Sequence, residues 1–197
     1  MSKLIVISVA YDRTIWLRSM IDSFLLQTRK DWELHIVYDG PAPEKVLDIM
    51  KTPEFKDPRI HFYESPERYE RYGHPNRRAA LREVKCNPHD WILLTNDDNF
   101  YTCKFWEYMS KEIKAKVGMI LCNTIHSHMD YNVHDSQIYE CGIDMGAFLV
   151  RADIAQKVGF NHDHFSADGV YAVECHEECK RKGLIAVKVP KCLFIHN

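Results

Sequence analysis

Asp97 and Asp98 are adjacent carboxylates at the end of a short apolar run, Trp91–Thr95, with Asn96 before them and Asn99 after. A run of that length bounded by turn-formers reads as a buried strand. In open α/β sheets, ligands gather where strands reach their carboxyl edge. Two neighbouring carboxylates repel when both are ionised, and a hard divalent cation, Mg²⁺ or Mn²⁺, relieves that repulsion through oxygen ligands. The plainer alternative is a surface turn capping the next helix, where Asp and Asn are equally at home.

Two further groups of residues have the types that chemistry needs. Cys175, His176, Cys179, Cys192 and His196 have the composition of a zinc cluster. Yet Cys-His-x-x-Cys places its ligands on different faces of a helix, and no CxxC pair repeats, so a structural zinc site is disfavoured. On the same helix Glu177 faces Arg181 and Glu178 faces Lys182 at i+4, which reads as ordinary solvent-exposed pairing. Glu174 meets only Glu178 at that spacing and is left without a cationic partner.

The elements that must position these residues are legible from periodicity. Leu4–Ala10 is apolar on both faces, as a central parallel strand should be. Leu17, Met20, Ile21, Phe24 and Leu25 fall on one face of a helix after Asp12. Leu34–Tyr38 is a second strand ending at the Asp39–Gly40–Pro41 turn, so the three form a βαβ unit. A short helix opens at Pro43, a strand covers Arg59–Tyr63, and Glu64–Asn76 is a long loop of the kind that is often functional. A helix over Asn76–Val84 carries Arg77, Arg78 and Arg82, the last two reading as a solvated face. Beyond the acidic pair, Trp106, Met109, Ile113 and Val117 mark a helix ended by Gly118, followed by a strand over Met119–Ile125. His126–Gln137 is polar and irregular. Cys141–Val150 reads as a strand, Ala152–Val158 as a helix closed by Gly159, and Asp168 as the residue preceding a helix that Gly183 caps. Ile185–Val189 and Leu193–Ile195 close the chain as strands around Pro190.

This is an α/β chain with a mainly parallel twisted sheet flanked by helices and a looser mixed second half. With 197 residues it is expected to form a single domain, 1–197. A net charge of −2 gives no electrostatic case for nucleic acid as a partner. No apolar run reaches membrane-spanning length, so no transmembrane segment is expected. Seven cysteines without a secretory signal point to reduced thiols and a cytoplasmic setting.

Five short motifs, in order, resemble family-2 glycosyltransferases of the GT-A type. They are Ile7–Arg13, Ser23–Thr28 with its Ser-x-x-x-Gln-Thr, Val37–Gly40, Asn96–Asn99 in the place of the Asp-x-Asp metal motif, and the closing Pro190–His196. The departures are Tyr38 and Pro41 in the usual Asp-Asp-Gly-Ser turn, Val9 and Asp12 in the first motif, and no Glu-Asp pair as such on the late helix. A nucleotidyltransferase shares the sheet and the acidic pair, but Ala10–Arg13 has none of the glycines of its phosphate loop. A glycosyltransferase-like protein that only binds a nucleotide sugar is the other alternative.

The resemblance implies inverting transfer of a sugar from a nucleotide diphosphate, most readily a UDP-sugar, to a carbohydrate or other hydroxyl acceptor, with 1–99 as the nucleotide-binding half and 100–197 as the acceptor-side half. It implies that Tyr11 stacks on the base and Asp39 accepts from a uracil-like ring N–H. By the same resemblance Asp97 binds the ribose, Arg77 faces the nucleotide, and Asp98 and His196 hold Mn²⁺ or Mg²⁺. Asp168, in an Ala-Asp-Gly setting, resembles the family's catalytic base, with Glu174 as the second candidate.

Overall fold

The computed structural model describes residues 2–197. Leu4–Ala10 forms β1, buried at every position between two parallel partners, β2 (Trp32–Tyr38) and β4 (Trp91–Asn96). A strand covered on both faces has no use for polar alternation, hence its unbroken apolar sequence. The edge strand β3 (Ile60–Glu64) adds to β2, again in parallel. Helix α1 (Thr14–Leu25) buries Leu17, Met20, Ile21 and Phe24 as its spacing requires, and α2 (Glu44–Met50) and α3 (His74–Glu83) make the later crossovers.

The second half is mixed. It holds β5 (Phe100–Tyr101), α4 (Phe105–Ser110), β6 (Val117–His126), β7 (Asn132–His134), β8 (Phe148–Arg151), α5 (Ala152–Val158), α6 (Ala167–Arg181) and β9 (Ile185–His196). One sheet runs through both halves in the order β3-β2-β1-β4-β8-β6-β9-β5, with β7 paired to β6. β8 is antiparallel to both β4 and β6, whereas β6 and β9 are parallel. No helix among the described residues is long and apolar enough to cross a membrane.

Several boundaries differ from the periodic reading. The helix expected through Val117 stops at Ser110, and Val117 opens β6 instead. Gly118 therefore ends no helix: it lies in the strand, where a Cβ would stand 2.7 Å from Cys179 Sγ and 2.9 Å from Ile154 Cδ1. Its bare backbone is what lets α5 and α6 approach the sheet. Of the stretch expected as a strand, Cys141–Val150, only Phe148–Val150 joins the sheet, in β8, which runs on to Arg151. Cys141 has φ of 63°, and Asp144 caps a short helical turn by accepting from Gly146 N–H. The final two strands are one, β9, whose register against β6 shifts between Cys122 and Asn123, opposite Pro190 and Lys191. Proline cannot donate to a ladder, so the irregularity sits at its position.

Candidate active site

Three strand ends converge. Tyr11 follows β1, Asp39 follows β2, and Asp97 and Asp98 follow β4. Tyr11, Asp39 and Asp97 bound a cleft of about 440 Å³ together with Arg13 and the Arg68–Gly73 loop, and Asp98 lies beside it, outside the lining. A second cavity of about 610 Å³ shares Tyr72 and Asn96 with the first and is lined by Asp144, Asp168, His126 and His196. Asp97 and Asp168 thus line adjoining cavities that have Tyr72 and Asn96 in common.

Asp39 is buried and accepts three hydrogen bonds, from the N–H groups of Tyr69 (2.8 Å) and Glu70 (3.0 Å) and from the Asn76 amide (2.7 Å). Those bonds hold a loop in which Glu70, Arg71 and Tyr72 all take positive φ, 57°, 47° and 59°. Each such residue costs on the order of 1–2 kcal/mol, so the loop persists only because it is pinned. At the loop's end Gly73 presses on β1, where a Cβ would meet Val9 Cγ1 at 2.6 Å. Tyr11 keeps its ring partly exposed, and the Arg68 guanidinium lies 3.8 Å from the ring centroid.

Asp97 accepts from Tyr11 N–H at 3.1 Å. Burial, then the charge of Asp98, pushes its carboxyl up to about 7. Burial also raises Asp98, against the opposing charge of Arg13, which is ion-paired with it. One Asp98 oxygen, Oδ1, is buried with no hydrogen-bond partner. Arg77 does not open into the cleft. It is fully buried, with its guanidinium on Asn96 Oδ1 (2.6 Å), His74 Nδ1 (2.7 Å) and Tyr72 O (3.3 Å). Burial lowers it to about 10, while Asp168, Asp144, Asp97 and Asp98 favour its charge. It sits behind the shared wall as a fixed cation between the two cavities.

Asp168 lies in the first turn of α6 rather than before it, and faces the second cavity. Burial and the nearby Asp144 charge raise it to about 6. Glu174 lines neither cavity; His162 Nε2 lies 2.9 Å from it, a partner that i+4 spacing does not reveal. Nor is Glu178 a solvent-exposed pair: it is buried and bonded to Lys157 (2.7 Å) and Arg181 (3.0 Å). Arg82 is exposed as expected, whereas Arg78 reaches Asp163 (2.5 Å) and the Phe160 carbonyl (2.8 Å). His196 Nδ1 stands 2.8 Å from Asp144 Oδ2. Burial disfavours the charged imidazole, but the close Asp144 carboxylate raises His196 overall, and His196 in turn lowers Asp144.

The arrangement of Tyr11, Asp39 and the Asp pair at successive strand ends lies within the stretch, residues 5–168, that matches the model of glycosyl transferase family 2. The chain belongs to that family. Among solved structures, it superposes on S. aureus TarS 1–349 with TM-score 0.73 at 12% identity, over 99% of this chain and 60% of that one. The same fragment in complex with UDP-GlcNAc gives TM-score 0.74 at 12% identity, over 98% and 58%. The mannosyltransferase PcManGT from Pyrobaculum calidifontis, in complex with GDP-Man and Mn²⁺, gives 0.72 at 13% identity, over 98% and 56%. The likeness shows a shared GT-A type fold, and the chain spans less than two thirds of each of these proteins.

In this family-2 chain the donors for a cation are oxygen and imidazole, the partners Mn²⁺ accepts. The orphaned Asp98 Oδ1 and the His196–Asp144 pair fit such an ion. Among the described residues, the groups able to hold a metal are Glu33 with His35 and His61, and His126 with Asp144 and His196. Sequence reasoning gave no role to Arg13, Arg68, Asn96, Asp144 or His126. Arg13 and Asn96 lay inside quoted motifs, but the other three carried no spacing signal.

Proposed function

We propose that the chain transfers a sugar from a nucleotide-diphosphate donor, a UDP-sugar by preference, to an acceptor hydroxyl, with a divalent cation and inversion at the anomeric carbon. The observation that supports this best is the pair of adjoining cavities, one bounded by Tyr11, Asp39 and Asp97, the other by Asp168. That division suits a donor on one side and an acceptor on the other. The UDP, UDP-GlcNAc and GDP-Man complexes of the structural neighbours support the same reading.

In this account the base takes the place of Arg68 on the Tyr11 ring, and Asp39 fixes the loop that closes the cleft. Asp97, with burial holding its carboxyl near neutrality, meets the ribose hydroxyls. Arg13 and the buried Arg77 offset the diphosphate's charge from either side, the latter through Asn96. Asp98 and His196 would hold Mn²⁺ or Mg²⁺, which when bound stabilises the departing diphosphate as a Lewis acid. Asp168, raised only to about 6, is ionised at neutral pH and takes the acceptor proton as that oxygen attacks. An inverting displacement needs one such carboxylate and no enzyme nucleophile.

Calorimetric titration with UDP in the presence of Mn²⁺ tests the donor side. Binding is expected to weaken sharply with chelator and in Asp98→Ala. Equal affinity with chelator present removes the metal from the account, and no UDP binding at all removes the donor assignment.

A further inference from the structure

The second cavity holds more metal-ligating groups than sugar transfer by Asp168 requires. His126 and His196 are register partners on the parallel strands β6 and β9, so the sheet itself sets their imidazoles side by side. The rings lie 4.2 Å apart at 19°. Asp144 reaches them from the turn before β8. Its Oδ1 accepts from Gly146 N–H at 2.7 Å, which aims Oδ2 at His196 Nδ1, 2.8 Å away. The ligand atoms of all three lie within 4.8 Å of one another.

We propose that His126, Asp144 and His196 form a preorganised seat for a transition-metal dication of the Mn²⁺, Co²⁺ or Zn²⁺ class. The seat deepens the proposed function, resting on it only for what the ion would do there. Three arguments carry it. First, two ligands in neighbouring positions about 2.1 Å from one cation stand about 3 Å apart, the separation His196 and Asp144 already have. His196 Nδ1 is buried without a hydrogen-bond partner, which an ion in the seat would supply. Second, the Gly146 N–H orients the ligating carboxylate from behind, as second-shell donors do in metal sites. If His126 binds through Nδ1, it gives up only a 3.2 Å hydrogen bond from His128 N–H. Third, two imidazoles and one carboxylate are a borderline donor set, whereas Mg²⁺ and Ca²⁺ prefer oxygen throughout.

Asp98, which the proposed function places on the same cation as His196, lies outside this group of three and is paired with Arg13, so the seat holds the ion without nucleotide and Asp98 joins it only when the donor is bound. Three protein ligands leave coordination positions open, as catalytic rather than structural sites do. The seat lines the cavity that also contains Asp168, so a diphosphate oxygen entering from the shared wall could complete the coordination.

The test titrates metal-free protein with Co²⁺ in the absence of nucleotide, following the visible absorption of the ion and the heat of binding. One saturable site is expected, weakened about ten-fold or more in His126→Ala and in Asp144→Asn. It should resist displacement by a roughly hundred-fold excess of Mg²⁺. Asp144→Asn keeps an oxygen for Gly146 N–H, and near-UV circular dichroism verifies that both variants are folded. No saturable Co²⁺ binding by the wild type, or unchanged affinity in both variants, overturns the seat. A separate UDP titration distinguishes the two readings. UDP binding with no Co²⁺ site leaves the donor cleft standing, and a Co²⁺ site without UDP binding leaves only the seat.

Discussion

Replacing Asp168 by Asn should make the protein more stable and less active at once. Its carboxyl has a folded-state value of about 6 against an ordinary 3.8. Because the folded value is the higher, folding favours the protonated form. The resulting penalty is absent where both states are protonated and complete above the folded value. The shift corresponds to at most about 3 kcal/mol, or about 1–3 kcal/mol once partial exposure is allowed for. Asn carries no such penalty. At pH 8 Asp168→Asn should therefore melt several degrees higher than wild type, at about 2–4 °C per kcal/mol for a chain of this size. The gap should shrink as pH falls toward 5 and the wild-type carboxyl protonates. Turnover should drop by about 10²–10⁴, the usual cost of losing a general base. Wild-type activity should itself fall as pH drops through about 6. Calorimetric melting at several pH values and a UDP-release assay measure the two effects. A variant no more stable at pH 8, with wild-type turnover, would refute both the desolvation argument and the base assignment.

Two other perturbations probe the cleft and its support. Arg68→Ala uncovers the Tyr11 face; a cation–π contact of about 0.5–1 kcal/mol no longer has to be broken, so UDP should bind about two- to five-fold tighter by calorimetry. Weaker binding instead would mean that Arg68 contacts the nucleotide. Gly118→Val drives a side chain into Cys179 and Ile154 and should cost about 1–3 kcal/mol in urea unfolding. An unchanged midpoint would show that α5 and α6 yield without cost.

The parallel half of the fold was legible because β1, β2 and β4 are covered on both faces and carry that fact as apolar runs. The carboxylates at their ends follow directly from those strands. The mixed half was less legible, for identifiable reasons. Val117 continues the helical spacing of Trp106 and Met109, so only packing shows that it starts a strand. Gly118 looks like punctuation, but its smallness serves the contact with α5 and α6. The loop over Glu70–Tyr72 adopts left-handed backbone with three residues that do not advertise it, since Asp39 and Asn76 impose it from a distance. Arg13 meets Asp98 across 85 residues, and His126 meets His196 only through strand register. No spacing rule reaches such pairs. Glu174 was a candidate base because i+4 arithmetic found it no partner; His162, across the chain, supplies one.

The central claim is that the ends of β1, β2 and β4 form a nucleotide-sugar cleft, and thermal stability against a panel of nucleotide sugars with Mn²⁺ tests it most directly. At about 1,000 times its dissociation constant, a ligand bound only by the folded state adds about 4 kcal/mol, or roughly 8–16 °C in this size class. A UDP-sugar is predicted to give that rise in the wild type and to lose most of it in Asp97→Ala. If no nucleotide sugar raises the melting temperature, or if Asp97→Ala responds like the wild type, the cleft is not a donor site.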